Sequence, residues 1–354
     1  MRLLGLLLGS LCFASSAFAA QHANNDQGDH GAYTILLEND ALVAPHSDKD
    51  YTMGLALRKS FRESDRDPLW HRTTLSLLKG LDGFLLGGDM TPTDAVWWEL
   101  GSKDYTPRDL SNALPIYNDR PYASLLYLAA GYVRPLADGA EKRVSWQWGL
   151  LGTNIGREVQ SVIHSTCCNG VHPNGWSHQI GKGGSPTFLF QEEWIHELAE
   201  ARSNHDIGLK FRYGYSLGYY TRAILGTSLS YGLPPMEGGE QIGQAASLPV
   251  SAGTPVPSGF SAWAGYELDA YAHNELLQGA WTGSSDVKYR YSQLRPLVHR
   301  FTAGVELTFI PAAVGLMDPK SNRLYVAAQW RSKMLKSPVE SHHLWGGLYF
   351  THYF

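Results

Sequence analysis

The sequence predicts an all-β protein: a transmembrane antiparallel β-barrel of about twelve strands, with short helical pieces in the extracellular loops. Three observations predict it. Long segments alternate apolar and polar residues with period two, as barrel strands do when one face meets lipid and the other a lumen. Aromatic residues make up 12% of the chain, with 11 Trp and 19 Tyr, which suits girdles at the two membrane interfaces. The two ends of the sequence also read as those of an exported barrel.

The alternation is clearest in three places. In 207–215, Ile207, Leu209, Phe211, Tyr213 and Tyr215 share one face and Gly208, Lys210, Arg212 and Gly214 the other. In 297–309, Leu297, Phe301, Ala303, Val305, Leu307 and Phe309 oppose Arg300, Thr302, Gly304, Glu306 and Thr308. In 323–331, Leu324, Val326, Ala328 and Trp330 oppose Arg323, Tyr325, Gln329 and Arg331. A face carrying these charges has to meet water or other charges. The full set of expected strands is about 32–39, 51–60, 94–102, 122–134, 143–153, 186–196, 205–215, 218–231, 259–272, 296–309, 321–333 and 342–354. A soluble β-sandwich is the rival. It would place turn signals every 8–12 residues, whereas these strands are longer and unevenly spaced.

At the N-terminus, Met1-Arg2 precedes an apolar run from Leu3 to Phe13 and then Ala17-Phe18-Ala19. That order of charge, apolar run and small-residue site is a secretory signal peptide, so residues 1–19 are expected to be cleaved and 20–354 to form the barrel domain. The run is shorter than the roughly 20 residues of a spanning helix. At the other end, the aromatic strand from Leu344 stops on Phe354, which resembles an outer-membrane assembly signal. The expected destination is the outer membrane of a Gram-negative cell, as a monomer.

Removing Arg2 leaves 28 basic against 33 acidic residues, and no basic footprint for nucleic acid. Cys12 lies in the signal segment, leaving only the neighbours Cys167 and Cys168, which are no disulfide framework and have no metal spacing. Residues 232–258, rich in Gly and Pro, fall where a barrel expects a short periplasmic turn.

With both ends in the periplasm, the unusual polar segments fall together at the extracellular rim. Loops on a rigid scaffold commonly carry function. Asn39 and Asp40 close the first strand and offer hard oxygen ligands that suit Ca²⁺, although Asn-Asp is also ordinary turn chemistry. Strict alternation sends the two to opposite faces, so a joint role needs a bulge or loop. Thr52, on the face of Gly54, Ala56 and Arg58, is expected to point into the lumen, opposite Tyr51 and Met53. Glu158 to His164 does not alternate. As a short helix it sets Gln160 and His164 on one face at i, i+4, where a His beside a polar group can act as a general base. No G-x-S-x-G elbow or H-E-x-x-H motif is present.

These pieces resemble the outer-membrane lipid A 3′-O-deacylases, the LpxR-like proteins. The resemblance is carried by Leu37-Glu38-Asn39-Asp40, Asp50-Tyr51-Thr52-Met53-Gly54, Tyr105-Thr106-Pro107, Asn118-Asp119-Arg120-Pro121-Tyr122-Ala123, Glu158-Val159-Gln160 with His164, and Gly175-Trp176-Ser177-His178-Gln179. It covers the N-terminal half by motif and the remainder by strand layout. It implies a twelve-stranded barrel that hydrolyses the 3′ ester-linked acyloxyacyl chain of lipid A in lipopolysaccharide, with Ca²⁺. It further implies His164 as the base activating water, Gln160 as its positioning partner, Asp40 as the Ca²⁺ ligand, and Asn39 and Thr52 lining the site. The family Lys that follows the Tyr-x-Pro motif has no counterpart in 108–114, where Arg108 is the cation.

Two other readings are open to the residues. One is a Ca²⁺-dependent outer-membrane phospholipase. Ser165 adjoins His164, but adjacent helical residues do not face each other. The other is a non-catalytic pore or adhesion barrel, in which Lys210, Arg212, Arg300 and Glu306 line a channel, although the same charges can pair and plug it.

Overall fold

The computed structural model describes residues 31–43, 49–61, 95–167, 172–199, 207–232, 259–309 and 322–353, with five positions between 73 and 83. Residues 1–30, the 233–258 segment, Cys168 and Phe354 lie outside the described residues. Twelve strands close into an antiparallel barrel in which each strand pairs with its sequence neighbours and the first pairs with the last. They are β1 (Gly31–Asn39), β2 (Asp50–Phe61), β3 (Ala95–Thr106), β4 (Ala123–Pro135), β5 (Glu141–Leu151), β6 (Ser185–Ala199), β7 (Ile207–Gly218), β8 (Tyr220–Gly232), β9 (Gly259–Asn274), β10 (Leu297–Phe309), β11 (Asn322–Arg331) and β12 (His343–Tyr353). Two helices belong to the rim opposite the chain ends: α1 (Ile155–Cys167) and the single turn α2 (Glu275–Gln278). No described helix is long and apolar enough to cross a membrane. The strands do so instead, because closure pairs the backbone polar groups that lipid cannot satisfy.

The expected alternation is visible as exposure. In β2, Leu55 and Leu57 are exposed while Ala56 and Arg58 are buried. In β10, Phe301, Val305 and Leu307 face out while Arg300, Thr302, Glu306 and Thr308 face in. Strand β3 runs four residues past its expected end, to Thr106, because Lys103 and Tyr105 still pair across to β4 at the rim.

The inward face is packed with paired charges. Asp269 holds Arg222 (2.6 Å) and Arg300 (3.0 Å), and Glu267 holds Arg300 (2.9 Å) and Arg212. Arg58 pairs with Glu99, which also accepts from Tyr127, and Arg323 pairs with Glu306 at 2.6 Å. From above, Tyr219 in the tight β7–β8 turn folds inward and its hydroxyl donates to Gln147 Oε1 at 2.8 Å. That turn is possible because Gly218 takes φ 131°, where a side chain would meet the Phe188 carbonyl. The charges that a channel would need in water therefore satisfy one another along the lumen wall.

Removing one partner of a buried pair leaves an uncompensated charge, at about 3–5 kcal/mol. Asp269→Ala is expected to cost that much, because Arg222 and Arg300 lose the carboxylate they share. The readout is the temperature at which the detergent-folded barrel converts to the slower, unfolded form on a gel. An unchanged transition temperature would show that the network is dispensable.

Candidate functional site

The rim residues singled out by sequence fall on three adjoining strands and the helix beside them. Strand β1 ends at Asn39, and a single 3-10 turn, Asp40–Leu42, follows. The Asn39 side chain caps that turn by accepting from Ala41 N at 2.8 Å. This is the break in alternation that a joint role for Asn39 and Asp40 requires. Asn39 has the outward parity of Ile35 and Leu37, whereas Asp40 is 1% exposed and accepts from Lys49 N on Oδ2 at 3.0 Å.

Thr52 does not sit where simple alternation puts it. The register between β2 and β3 shifts between Tyr51 and Met53, so Thr52 is the extra residue of a bulge. The bulge resets parity. Tyr51, expected to face lipid, is buried against Tyr105 and Trp345 inside the barrel. Thr52, expected in the lumen, meets Thr106 Oγ1 at 2.6 Å. Thr106 shares the parity of outward-facing Leu100, not that of lumen-lining Tyr105.

Helix α1 lies against this outer wall. Its start is held from β4: Gly156 N donates to Ser124 Oγ at 3.2 Å, and Gly152 N donates to the Ser124 carbonyl at 2.7 Å. Gly156 is needed because a Cβ there would run into Asp104 Oδ1. Further along, Gln160 is buried and its Oε1 accepts from Trp176 Nε1 at 3.0 Å. Trp176 packs on Tyr122 with ring centroids 4.7 Å apart, and Leu110 completes this small core. Gln179 Nε2 donates to the Thr153 carbonyl at 3.2 Å and helps fix the loop. His164 belongs to α1 one turn beyond Gln160, and its side chain lies outside the described residues, as does that of Cys167.

The pairing registers join these pieces into one transverse row. Asn39 pairs with Met53, Met53 with Asp104, and Asp104 with Ser124. Three strand spacings make the row about 14 Å long. The eight steps from Gly156 to His164 rise about 12 Å, a length comparable with that of the row.

Asp104 is the residue that sequence reasoning missed. It is 3% exposed, and neither carboxylate oxygen makes a well-aligned hydrogen bond among the described residues, although the Ser124 hydroxyl stands beside it. The amide end of α1 offsets part of the cost of burying that charge, by about 0.3–2 kcal/mol. Nothing in Lys103-Asp104-Tyr105 announces an outward-facing acid, because its burial depends on a helix fifty residues later.

The donors at this edge are hard oxygens, the Asp40 carboxylate and the Asn39 amide. That set fits Ca²⁺, which accepts carboxylate, amide and carbonyl oxygens together with water. The described residues hold no cluster of three or more His, Cys, Asp or Glu that could by itself hold a metal ion. Arg108, the cation of the 108–114 stretch, donates from Nη2 to Ser341 Oγ at 3.2 Å.

A family model described as outer membrane protein LpxR matches residues 6–354. No curated protein matches the chain. Among solved structures, LpxR from Salmonella typhimurium superposes with a TM-score of 0.65 at 14% identity, covering 91% of this chain and 100% of that one. The KdgM porin in complex with disordered oligogalacturonate gives a TM-score of 0.34 at 8% identity, covering 92% and 99%. A bacterial polysaccharide outer membrane secretin gives 0.31 at 7%, covering 93% and 100%. The first likeness speaks for the fold; the family match reaches nearly the whole sequence. The chain belongs to the LpxR family of outer membrane proteins.

Proposed function

We propose that the protein hydrolyses the 3′ ester-linked acyloxyacyl chain of lipid A at the outer leaflet of the outer membrane. The observation that carries this reading is the placement of α1. The helix with Gln160 and His164 rests on the lipid side of the wall, over the Asp104–Ser124 end of the row, while the lumen is filled with paired charges. A site there meets a lipid ester without passing it through the barrel. Family membership and the motif resemblance support the same substrate.

In this reading His164 takes a proton from water as the water oxygen bonds to the acyl carbon. The bond between that carbon and the sugar oxygen then breaks, and His164 returns the proton to the departing oxygen, leaving a free fatty acid and a 3′-hydroxyl. Gln160, fixed by the Trp176 indole, orients the base or the water. Asn39 and Thr52 line the acyl side of the cleft. Asp40, with Asn39 beside it, is the residue to hold Ca²⁺. When bound, Ca²⁺ supplies Lewis-acid polarisation of the ester carbonyl.

Mass spectrometry of lipid A from cells with and without the protein is expected to show loss of the 3′ acyl chain. Intact lipid A alongside lysophospholipid would instead make the protein a phospholipase, and no lipid change would remove the enzyme. His164→Ala should lower kcat by about 10²–10⁴-fold, the usual share of a general base, with the barrel still folded. Retained deacylation in this variant would reassign the base.

Trp176→Phe keeps the packing on Tyr122 but removes the indole donor. Leaving a buried acceptor unmade costs about 1–3 kcal/mol, so kcat is expected to fall roughly tenfold or more. A normal rate would show that Gln160 needs no such support. Equilibrium dialysis with ⁴⁵Ca²⁺ should show at least about tenfold weaker binding for Asp40→Ala, the loss of one charged ligand. Equal binding by the variant and the wild type would move the cation elsewhere, whatever the activity.

A further inference from the structure

A second feature of the same rim belongs to no part of the site above. Residues at the start of β2 and in the β3–β4 and β11–β12 loops border an open crevice lined by Lys49, Arg108, Ser341 and the carboxylates of Asp50, Asp119 and Glu340.

Its charges are arranged unequally. Each carboxylate is already engaged. Asp50 pairs with Arg120 (2.7 Å) and Arg331. Asp119 accepts from Arg108 N and Arg120 N, both at 2.8 Å. Glu340 accepts from Met334 N at 3.0 Å and Leu335 N at 2.6 Å. Burial, and then the neighbouring Asp50 charge, push the Glu340 carboxyl upward, against the pull of those amides and Arg331. The two outermost cations have no carboxylate among the described residues. Lys49 Nζ (2.5 Å) and Arg108 Nη2 (3.2 Å) instead donate to one neutral oxygen, Ser341 Oγ. Two like charges sharing one neutral acceptor repel each other. An anion with several oxygens would give each its own charged acceptor, with Arg108 supplying a planar fork and Lys49 a point charge.

The geometry points to this crevice as a seat for a phosphate monoester, presented by the headgroup of the lipid substrate. The source rests on the lipid A reading above; the chemistry rests on Lys49 and Arg108, whose shared acceptor Ser341 an anion would replace. The seat also bears on the cleft, because the Lys49 amide is the donor to Asp40 Oδ2. A headgroup anchored at Lys49 is thereby held one residue contact from the carboxylate assigned to Ca²⁺.

The test is binding to the full-length barrel in detergent, read without turnover. Lipid A with its phosphates, the same lipid with them removed, and inorganic phosphate are titrated against wild type, Lys49→Gln/Arg108→Gln and Ser341→Ala. Wild type is expected to prefer phosphorylated lipid by about 10–100-fold, the worth of a pair of charge-assisted bonds, and the double variant to lose that preference. In turnover its KM for phosphorylated lipid A should rise. Ser341→Ala, which frees both cations, should bind phosphorylated lipid at least as tightly as wild type. Equal affinity for the two lipids, or equal loss in Ser341→Ala and the double variant, overturns the seat. Inorganic phosphate binding as tightly as the lipid assigns it to a free anion and overturns the headgroup source. Phosphate-dependent binding with no ester cleavage upholds the seat and overturns the reaction instead.

Discussion

The constraint on which the structure depends is that a chain in hydrocarbon must pair its backbone polar groups within itself. Here the pairing is completed by β1 and β12, whose register runs from Ala32↔Tyr353 to Asn39↔Gly346. Once the ring is closed, every side chain in a strand has two choices, lipid or lumen. The lumen of a twelve-stranded ring is narrow enough for side chains from opposite walls to meet, as Tyr105 of β3 and Tyr220 of β8 do at 3.1 Å, and its wall is lined by ion pairs between neighbouring strands such as Arg222–Asp269–Arg300. Desolvating those charges is costly, and only their mutual pairing makes the arrangement tenable. Filling the interior in this way leaves the rim and the outer wall as the surfaces open to a ligand.

The outer wall is an unusual place for polar chemistry, and the structure accommodates it through local departures from strand geometry. The 3-10 turn after Asn39 ends the alternation of β1, and the bulge at Thr52 ends that of β2. Helix α1 then covers the Asp104–Ser124 end of the polar row, anchored at its start by Ser124 and along its length by the Trp176–Gln160 bond. Without that cover Asp104 and Ser124 would face the membrane interface alone. The helix and the row therefore presuppose each other, and neither is legible from its own segment.

This explains what the sequence disclosed and what it did not. Twelve strands were legible because burial on one face imposes a period of two over many residues, as in Leu55-Ala56-Leu57-Arg58. The helix at 155–167 was legible as a failure of that period. Asn39, Asp40, Gln160 and the backbone of His164 stand at the ends or on the elements expected of them. Tyr51 and Thr52 were assigned to the wrong sides because one inserted residue inverts parity and leaves no mark in composition. Asp104 was missed because it becomes a buried acid only when Gly156 packs on it. Local pattern reports the faces of a strand; it does not report what a distant loop lays across them.

Asp50 shows how these departures are held in place. It is a non-glycine residue at φ 65°, a left-handed conformation that side chains disfavour. Such a conformation costs of order 1–3 kcal/mol and persists only where its surroundings over-determine it. Arg120 from the β3–β4 loop and Arg331 from the end of β11 both grip its carboxylate, and Arg120 lies 4.2 Å over the Tyr105 ring. His343 Nε2 meets the carbonyl of the next residue, Tyr51, at 3.0 Å. Three separate parts of the rim thus fix the two residues that precede the bulge. The twist set at Asp50 turns Tyr51 inward and leaves Thr52 to meet Thr106. The same ion pairs form the floor of the crevice beneath Lys49 and Arg108, so one carboxylate sets the geometry on both sides of the wall.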